Sequence, residues 1–215
     1  MYKNRTNVSK NDISMEVVMA NSNITKKALA QSLKELGATK NLDKITVADI
    51  TDHCGVNRQT FYYHFNDKYE LLSWIYTQDL FIPLTADLTF ENWGEKLVEL
   101  FKYMKQQKAF FINTIKSSNN FFAEYCNKIF AELFKKAITD LGLYSYLSEK
   151  EQDVYARFFA YGLTGVMVDW AIKGMKEKED EVAALLQDLT LHTEEFGHEM
   201  YLYRKKKIRQ KKARK

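Results

Sequence analysis

The sequence predicts an all-α fold, and three observations carry that reading. There is a single proline and only eight glycines in 215 residues. Apolar side chains recur at helical spacing along most of the chain. Two helix entrances stand a dozen residues apart in "ITVADITDHCGVNRQTFYYHFNDK", with a glycine between them. With 46% hydrophobic residues the chain can fill a sizeable core. No apolar run reaches the roughly 18 to 20 residues needed to span a bilayer. The polar start MYKNRTNVSKNDIS is no signal peptide, so a cytoplasmic protein with no membrane partner is expected. Cys54 and Cys126 fit a reducing compartment as buried, inert thiols.

Residues 1–22 are polar, rich in Asn and without a stable period, and read as a flexible arm. From Ile24, "ITKKALAQSLKELG" places Ile24, Ala28, Leu29, Leu33 and Leu36 on one stripe, with Gly37 as its C-cap. Thr46 with Asp49 three residues on forms a capping box, flanked by Ile45 and Ile50 as a hydrophobic staple. Asn57 repeats the grammar as an N-cap, with Val56 and Phe61 as the second staple. Gly55 can adopt the left-handed conformation, so the chain turns sharply between the two short helices. That is a helix-turn-helix. Asn66 or Asp67 caps "KYELLSWIYTQDLFI", whose Leu71, Leu72, Ile75 and Tyr76 pack back on the trio, and Pro83 helps end it. Residues 23–83 are thus expected to form a three-helix DNA-binding domain with this longer helix packed on it.

Residues 84–203 are expected to form a helical bundle, with apolar-periodic segments near 92–107, 108–117, 120–140, 151–174 and 180–203. The last two suit a two-fold four-helix interface: Gly162 and Gly165 notch one helix, and Leu185, Leu189 and Phe196 mark one face of the other. Phe158, Gly162, Gly165, Val166, Leu185, Leu189 and Phe196 are the expected homodimer contacts. The middle of the bundle is rich in aromatics. Phe101, Met104, Phe110, Phe111, Phe122 and Tyr125 are the residues expected to line an apolar ligand pocket. Residues 204–215, RKKKIRQKKARK, hold nine of the 32 basic side chains and no acid. The remaining 203 residues carry 23 basic against 28 acidic groups, a balance of −5, and the tail reads as solvated and disordered.

In a helix-turn-helix the first turn of the second helix points into the major groove. Arg58, Gln59 and Thr60 are therefore placed for base edges, Arg suiting guanine and Gln adenine. Phe61 and Phe65, four apart, face the small core. Tyr62, Tyr63 and His64 remain for sugar, phosphate or a thymine methyl; Tyr62 is counted with the base contacts and Tyr63 and His64 with the phosphate contacts. Lys68 and Thr46, each at a helix entrance, are the further phosphate candidates. The partner is double-stranded DNA, and a dimer implies a near-palindromic operator. No Ser-His-Asp set, phosphate-cradling glycine loop or HExxH helix is present, and His53, His192 and His198 lack metal-ligand spacing. An enzyme, a cofactor and a metal are therefore not expected.

Thr46-Val47 followed by Ile50, Cys54-Gly55-Val56, Thr60-Phe61-Tyr62-Tyr63-His64-Phe65 and Lys68 resemble the DNA-binding signature of TetR-family transcriptional regulators. The likeness covers residues 24 to about 76. Thr51 and Cys54 stand where the family often has alanine, and both are still small. "YGLTGVMVDWAIKGM" is similar to the C-terminal region of a subgroup that includes regulators of dihydroxyacetone kinase operons. The resemblance implies a homodimeric repressor released by a small-molecule effector. Its alternative is a non-sensing activator or adaptor that works through a ligand-binding partner protein.

Overall fold

The computed structural model describes residues 10–89, 91–117, 120–140, 148–190, 192, 202, 203 and 206, with side chains placed from residue 22 onward. Phe196, the first nine residues of the expected arm and all of the basic tail but Lys206 lie outside the described residues. The chain divides into two compact units. One comprises Met1–Phe81 with Ala109–Asn119, the other Ile82–Lys108 with Asn120–Lys215.

In the first unit, α1 spans Lys10–Thr39, α2 Val47–Cys54, α3 Arg58–His64 and α4 Lys68–Tyr76. The first helix begins at Lys10 rather than Ile24, because the stretch through Met15, Glu16, Met19 and Ala20 holds good helix formers and neither Gly nor Pro to stop it. It also runs through Gly37. That glycine serves close packing and not a left-handed cap: a Cβ there would lie 2.8 Å from Phe110 Cδ2. Leu29 and Leu33 from α1 are fully buried with Leu42, Ile45, Ile50 and Phe61. Ser32, beside them, donates its hydroxyl to the Ile50 carbonyl at 2.7 Å, fixing α2 on α1. Gly55 takes φ 69° between α2 and α3, as the turn requires.

The expected helix to Pro83 is interrupted. Thr77–Phe81 forms a wider π-helical turn before the short α5, Ile82–Thr85. Pro83 lacks an N–H and its ring crowds the carbonyl four residues back, so a widened turn absorbs the mismatch. Asp79 within it pairs with Lys34 of α1 at 2.9 Å. A second departure concerns α7, Lys108–Ile115. Expected in the bundle, its residues from Ala109 belong to the first unit. Phe111 stacks on Tyr76 at 6.2 Å, and the Asn113 amide donates to the Gly37 carbonyl at 2.9 Å.

The second unit holds α6, Trp93–Gln106; α8, Phe121–Asp140; α9, Glu149–Ile172; and α10, residues 179–190. Ser148 and Glu151 close a capping box at the start of α9. The turn after α9 passes through Gly174 at φ 89° and Met175 at φ 51°, with the Met175 side chain buried. Trp170 joins the elements: its ring meets Phe101 edge-on at 4.9 Å and its indole N–H donates to the Glu177 carbonyl. Cys54 and Cys126 are both free, and complete burial pushes the Cys126 thiol well above its ordinary range.

Candidate nucleic-acid interface

The reading head is built from local rules. Asn57 Oδ1 accepts the Thr60 N–H at 2.7 Å and the Thr60 hydroxyl at 2.9 Å, which fixes where α3 begins. Phe61 is fully buried and anchors the helix, so the opposite face is turned outward. On that face Arg58 and Gln59 are exposed, Tyr62 is 57% and Tyr63 79% exposed, and His64 is half-buried. Thr60 differs from its neighbours. Its two donors are already given to Asn57, leaving only its methyl and oxygen lone pairs for a base.

Two of the expected phosphate contacts prove to be braces. The Thr46 backbone N–H and hydroxyl both donate to Asp49 Oδ2 at 2.8 Å, and its oxygen accepts the Asp49 N–H at 3.1 Å. These bonds hold the Asp49 carboxyl below its usual pKa, the backbone N–H of Thr46 contributing most. Thr46 therefore caps α2 with both its donors and has none spare for a phosphate. Lys68 gives two of its three ammonium protons to the Leu42 and Ile45 carbonyls, each at 2.8 Å. Burial lowers its pKa, with Asp43, Asp49 and Asp67 pulling the other way. One proton remains for a phosphate.

Removing that brace has a measurable consequence. Lys68→Met removes a donor from each of two carbonyls that Lys68 ties across 26 and 23 residues of sequence; the Leu42 carbonyl keeps the Ile45 N–H at 3.0 Å, while the Ile45 carbonyl loses its side-chain donor. A loss of about 1–3 kcal/mol is expected. Chemical denaturation of the DNA-free protein measures it. Wild-type stability combined with a reduced salt dependence of DNA binding would instead make Lys68 a phosphate contact and nothing more.

His64 is held below its ordinary pKa by burial first and by the Lys26 charge second, so near pH 7 it is neutral and offers an N–H. Ser32 is the residue that sequence reasoning passed over. Its place within the Leu29 and Leu33 stripe was the available signal of a buried polar brace.

The remaining candidates separate by unit. Phe101, Met104 and Phe122 are buried in the second unit, where Tyr125 is half-buried and stacked on Phe121 at 6.3 Å. Phe110 and Phe111 belong to the core of the first, so the six expected pocket residues do not fall in one unit. A groove of about 500 Å³ does exist on the second unit, but charged side chains of α8 and α9 line it, Lys128, Glu132, Asp153 and Arg157 among them. The Thr164 hydroxyl is buried with no hydrogen-bond partner among the described residues. Phe158 is 68%, Val166 40%, Leu185 70% and Leu189 60% exposed, and a Cβ added at Gly162 or Gly165 meets nothing within 4 Å among the described residues. Val154, Tyr161 and Ile172 are exposed too. With Phe158 and Gly165 they recur at helical spacing along one face of α9. Among the described residues no cluster is placed to hold a metal ion, and no helix is long and apolar enough to cross a membrane.

Comparison with known proteins places these features. The model described as "Bacterial regulatory proteins, tetR family" matches residues 32–74, and that described as "Transcriptional regulator C-terminal region" matches residues 91–192. A relative from Lactococcus lactis subsp. lactis (strain IL1403), the HTH-type dhaKLM operon transcriptional activator DhaS, is 27% identical over 158 residues. That span is 73% of this chain and 84% of the relative. Two solved structures share the fold. The dihydroxyacetone kinase operon activator DhaS has a TM-score of 0.62 at 24% identity, covering 80% of this chain and 97% of its own. The fatty acid degradation regulator FadR from Bacillus halodurans has a TM-score of 0.53 at 16% identity, covering 76% and 93%.

Proposed function

The chain belongs to the TetR family of transcriptional regulators, and from that premise we propose that it reads a near-palindromic operator in the cytoplasm as a two-fold homodimer. Arg58 and Gln59 of each α3 take base edges, Tyr62 a thymine methyl, and Tyr63, His64 and the last proton of Lys68 the backbone. The observation that carries this reading is the exposure of Arg58, Gln59, Tyr62 and Tyr63 on a helix pinned at Asn57 and anchored by the buried Phe61. Dimerisation rests on the α9 stripe of Val154, Phe158 and Tyr161, flanked by Val166, with Leu185 and Leu189 of α10. One short recognition helix makes too few contacts for useful specificity, and a second copy doubles them. Sequencing the DNA fragments that co-purify with the protein tests the reading. Recovered sites should be near-palindromes with half-site centres about 34–36 Å apart or a little more. Fragments without symmetry would sink it.

The bound state is regulated, in this reading, as a repressor released by a small molecule seated in the second unit. Thr164 supports it. An unpartnered hydroxyl in an apolar core costs about 1–3 kcal/mol, a penalty that a ligand's polar group would relieve. A metabolite at about a hundredfold over its dissociation constant should stabilise the protein by roughly 2.7 kcal/mol, readable as a thermal shift. A second reading, an activator working through a ligand-binding partner, is favoured by the relative from Lactococcus lactis, which is named a transcriptional activator. Native mass spectrometry of protein taken from its host separates the two. A retained small molecule favours the repressor, and a bound second protein favours the activator. No reaction is assigned to either unit.

A further inference from the structure

Seven basic side chains lie between Ile24 and Leu72, and they differ in what they already hold. Lys34 pairs with Asp79 at 2.9 Å, Lys40 faces Asp49 at 3.6 Å, and Lys68 is bound to two carbonyls. Lys26, Lys27, Lys44 and Arg58 have no carboxylate within ion-pair distance among the described residues. Of these four, Lys26 is the one fixed by the fold. It is half-buried, and its ammonium stands over the ring of Phe65, 5.9 Å from the centroid. Phe65 closes α3 and is only 4% exposed, so the cation is held at the C-terminal end of that helix. The Lys26 charge reaches His64, whose ring meets that of the exposed Tyr63 edge-on at 4.9 Å.

In the free protein this grouping disfavours a second positive charge. A cation beside an imidazole disfavours protonation of the ring, and the Lys26 charge is one cause of the depressed His64 pKa. No carboxylate among the described residues pairs with Lys26 or His64. An anion arriving there reverses the balance. The end of a helix also presents carbonyl oxygens that repel anions, so a phosphate near the last turn of α3 needs a full positive charge close by. Lys26 supplies one.

We infer that Lys26, His64 and Tyr63 form a single phosphodiester-binding site at the C-terminal end of α3, with Lys26 as its charge and the other two as neutral hydrogen-bond donors. The inference rests on α3 being the helix that enters the DNA, and it assigns a residue ahead of the matched segment 32–74. The dimensions agree. His64 closes α3 six residues after Arg58, about 9 Å along the axis at 1.5 Å per residue. The major groove is about 12 Å wide, so a helix whose first turn meets base edges brings its last turn to a phosphate wall.

The test uses the full chain and a fluorescein-labelled duplex of scrambled sequence, titrated at several salt concentrations. Non-specific binding is dominated by phosphate contacts, so no operator is needed. Lys26→Gln should reduce the slope of log affinity against log salt by about 0.9 per contact, hence about 1.8 for a dimer. By the same relation affinity near 0.15 M salt falls roughly thirty-fold. The unfolding midpoint should fall by no more than about 4 °C, the cost of one cation–π contact, and Lys26→Arg should restore the slope. An unchanged slope in Lys26→Gln, or a loss that Lys26→Arg leaves unrepaired, overturns the site. If the wild-type protein shows no salt-dependent binding at all, the DNA-facing assignment of α3 fails, and this site fails with it.

Discussion

Gly165→Leu yields a protein that sediments as a monomer at micromolar concentration and keeps the helical content of the wild type. Within one subunit a Cβ at this position meets nothing within 4 Å among the described residues, so the first carbon of a larger side chain has open space there. Replacing an exposed helical glycine by leucine even favours the helix, by up to about 1 kcal/mol. Between subunits the effect reverses. Gly165 lies on the face of α9 that carries Phe158, 68% exposed, and Tyr161, 53% exposed. Burying each such side chain is worth about 1.5–3 kcal/mol, which is the driving force for a second copy to cover them. A small residue lets the two helices approach closely, and by two-fold symmetry a leucine enters the contact twice. Overpacking costs about 1–3 kcal/mol at each insertion, and here it can be relieved by parting the subunits. Operator affinity should then fall by about two to four orders of magnitude, since the two reading heads no longer bind as one ligand. Sedimentation velocity and an operator titration measure both effects. A monomeric wild-type protein, or a variant that remains dimeric, would move the interface away from α9.

The sequence carried what is decided locally. The Thr46 capping box, the Asn57 cap and the left-handed Gly55 each depend on residues within five positions, and each appears as read. The extents of α6 to α9 are likewise close to the apolar periods, because periodicity is a local property of the chain. What failed to show depends on distant partners. Gly37 has the same local signature whether it caps a helix or admits Phe110, and Phe110 lies 73 positions away. The residues of α7 sit in the bundle by sequence order, yet Phe111 and Asn113 belong with Tyr76 and Gly37. Lys68 looks like a free cation at a helix entrance until the Leu42 and Ile45 carbonyls come within reach. The apolar period of α9 is ambiguous for another reason. Both faces carry apolar residues, so the pattern cannot say which of Ala160, Met167 or Phe158 is left in solvent. Only the packed unit separates the first two, buried, from the third.

Gln59→Ala should lose roughly 1–3 kcal/mol per half-site on the operator, hence about 2–6 kcal/mol for the dimer, and almost nothing on a scrambled duplex. Arg58→Ala should lose as much on the operator, with a small additional loss on any DNA because a charge is removed. The geometry separates these two residues from the rest of the head. Both are exposed at the first turn of α3, and neither side chain is engaged in the cap that fixes that turn, whereas the Thr60 hydroxyl is given to Asn57. Their removal should therefore leave the stability of the free protein unchanged, since an exposed side chain without partners contributes little to folding. Specific binding behaves otherwise. A base edge that has lost water and gains no protein partner keeps an unsatisfied donor or acceptor, and that penalty arises only where the operator presents adenine or guanine. The affinity ratio between operator and scrambled duplex is thus the quantity that moves, and the salt slope for Gln59→Ala stays where it was because no phosphate contact is lost. Titrations of both duplexes at matched salt decide it: equal losses on the two would remove Gln59 from base readout, and a stability loss in either variant would make these side chains part of the fold.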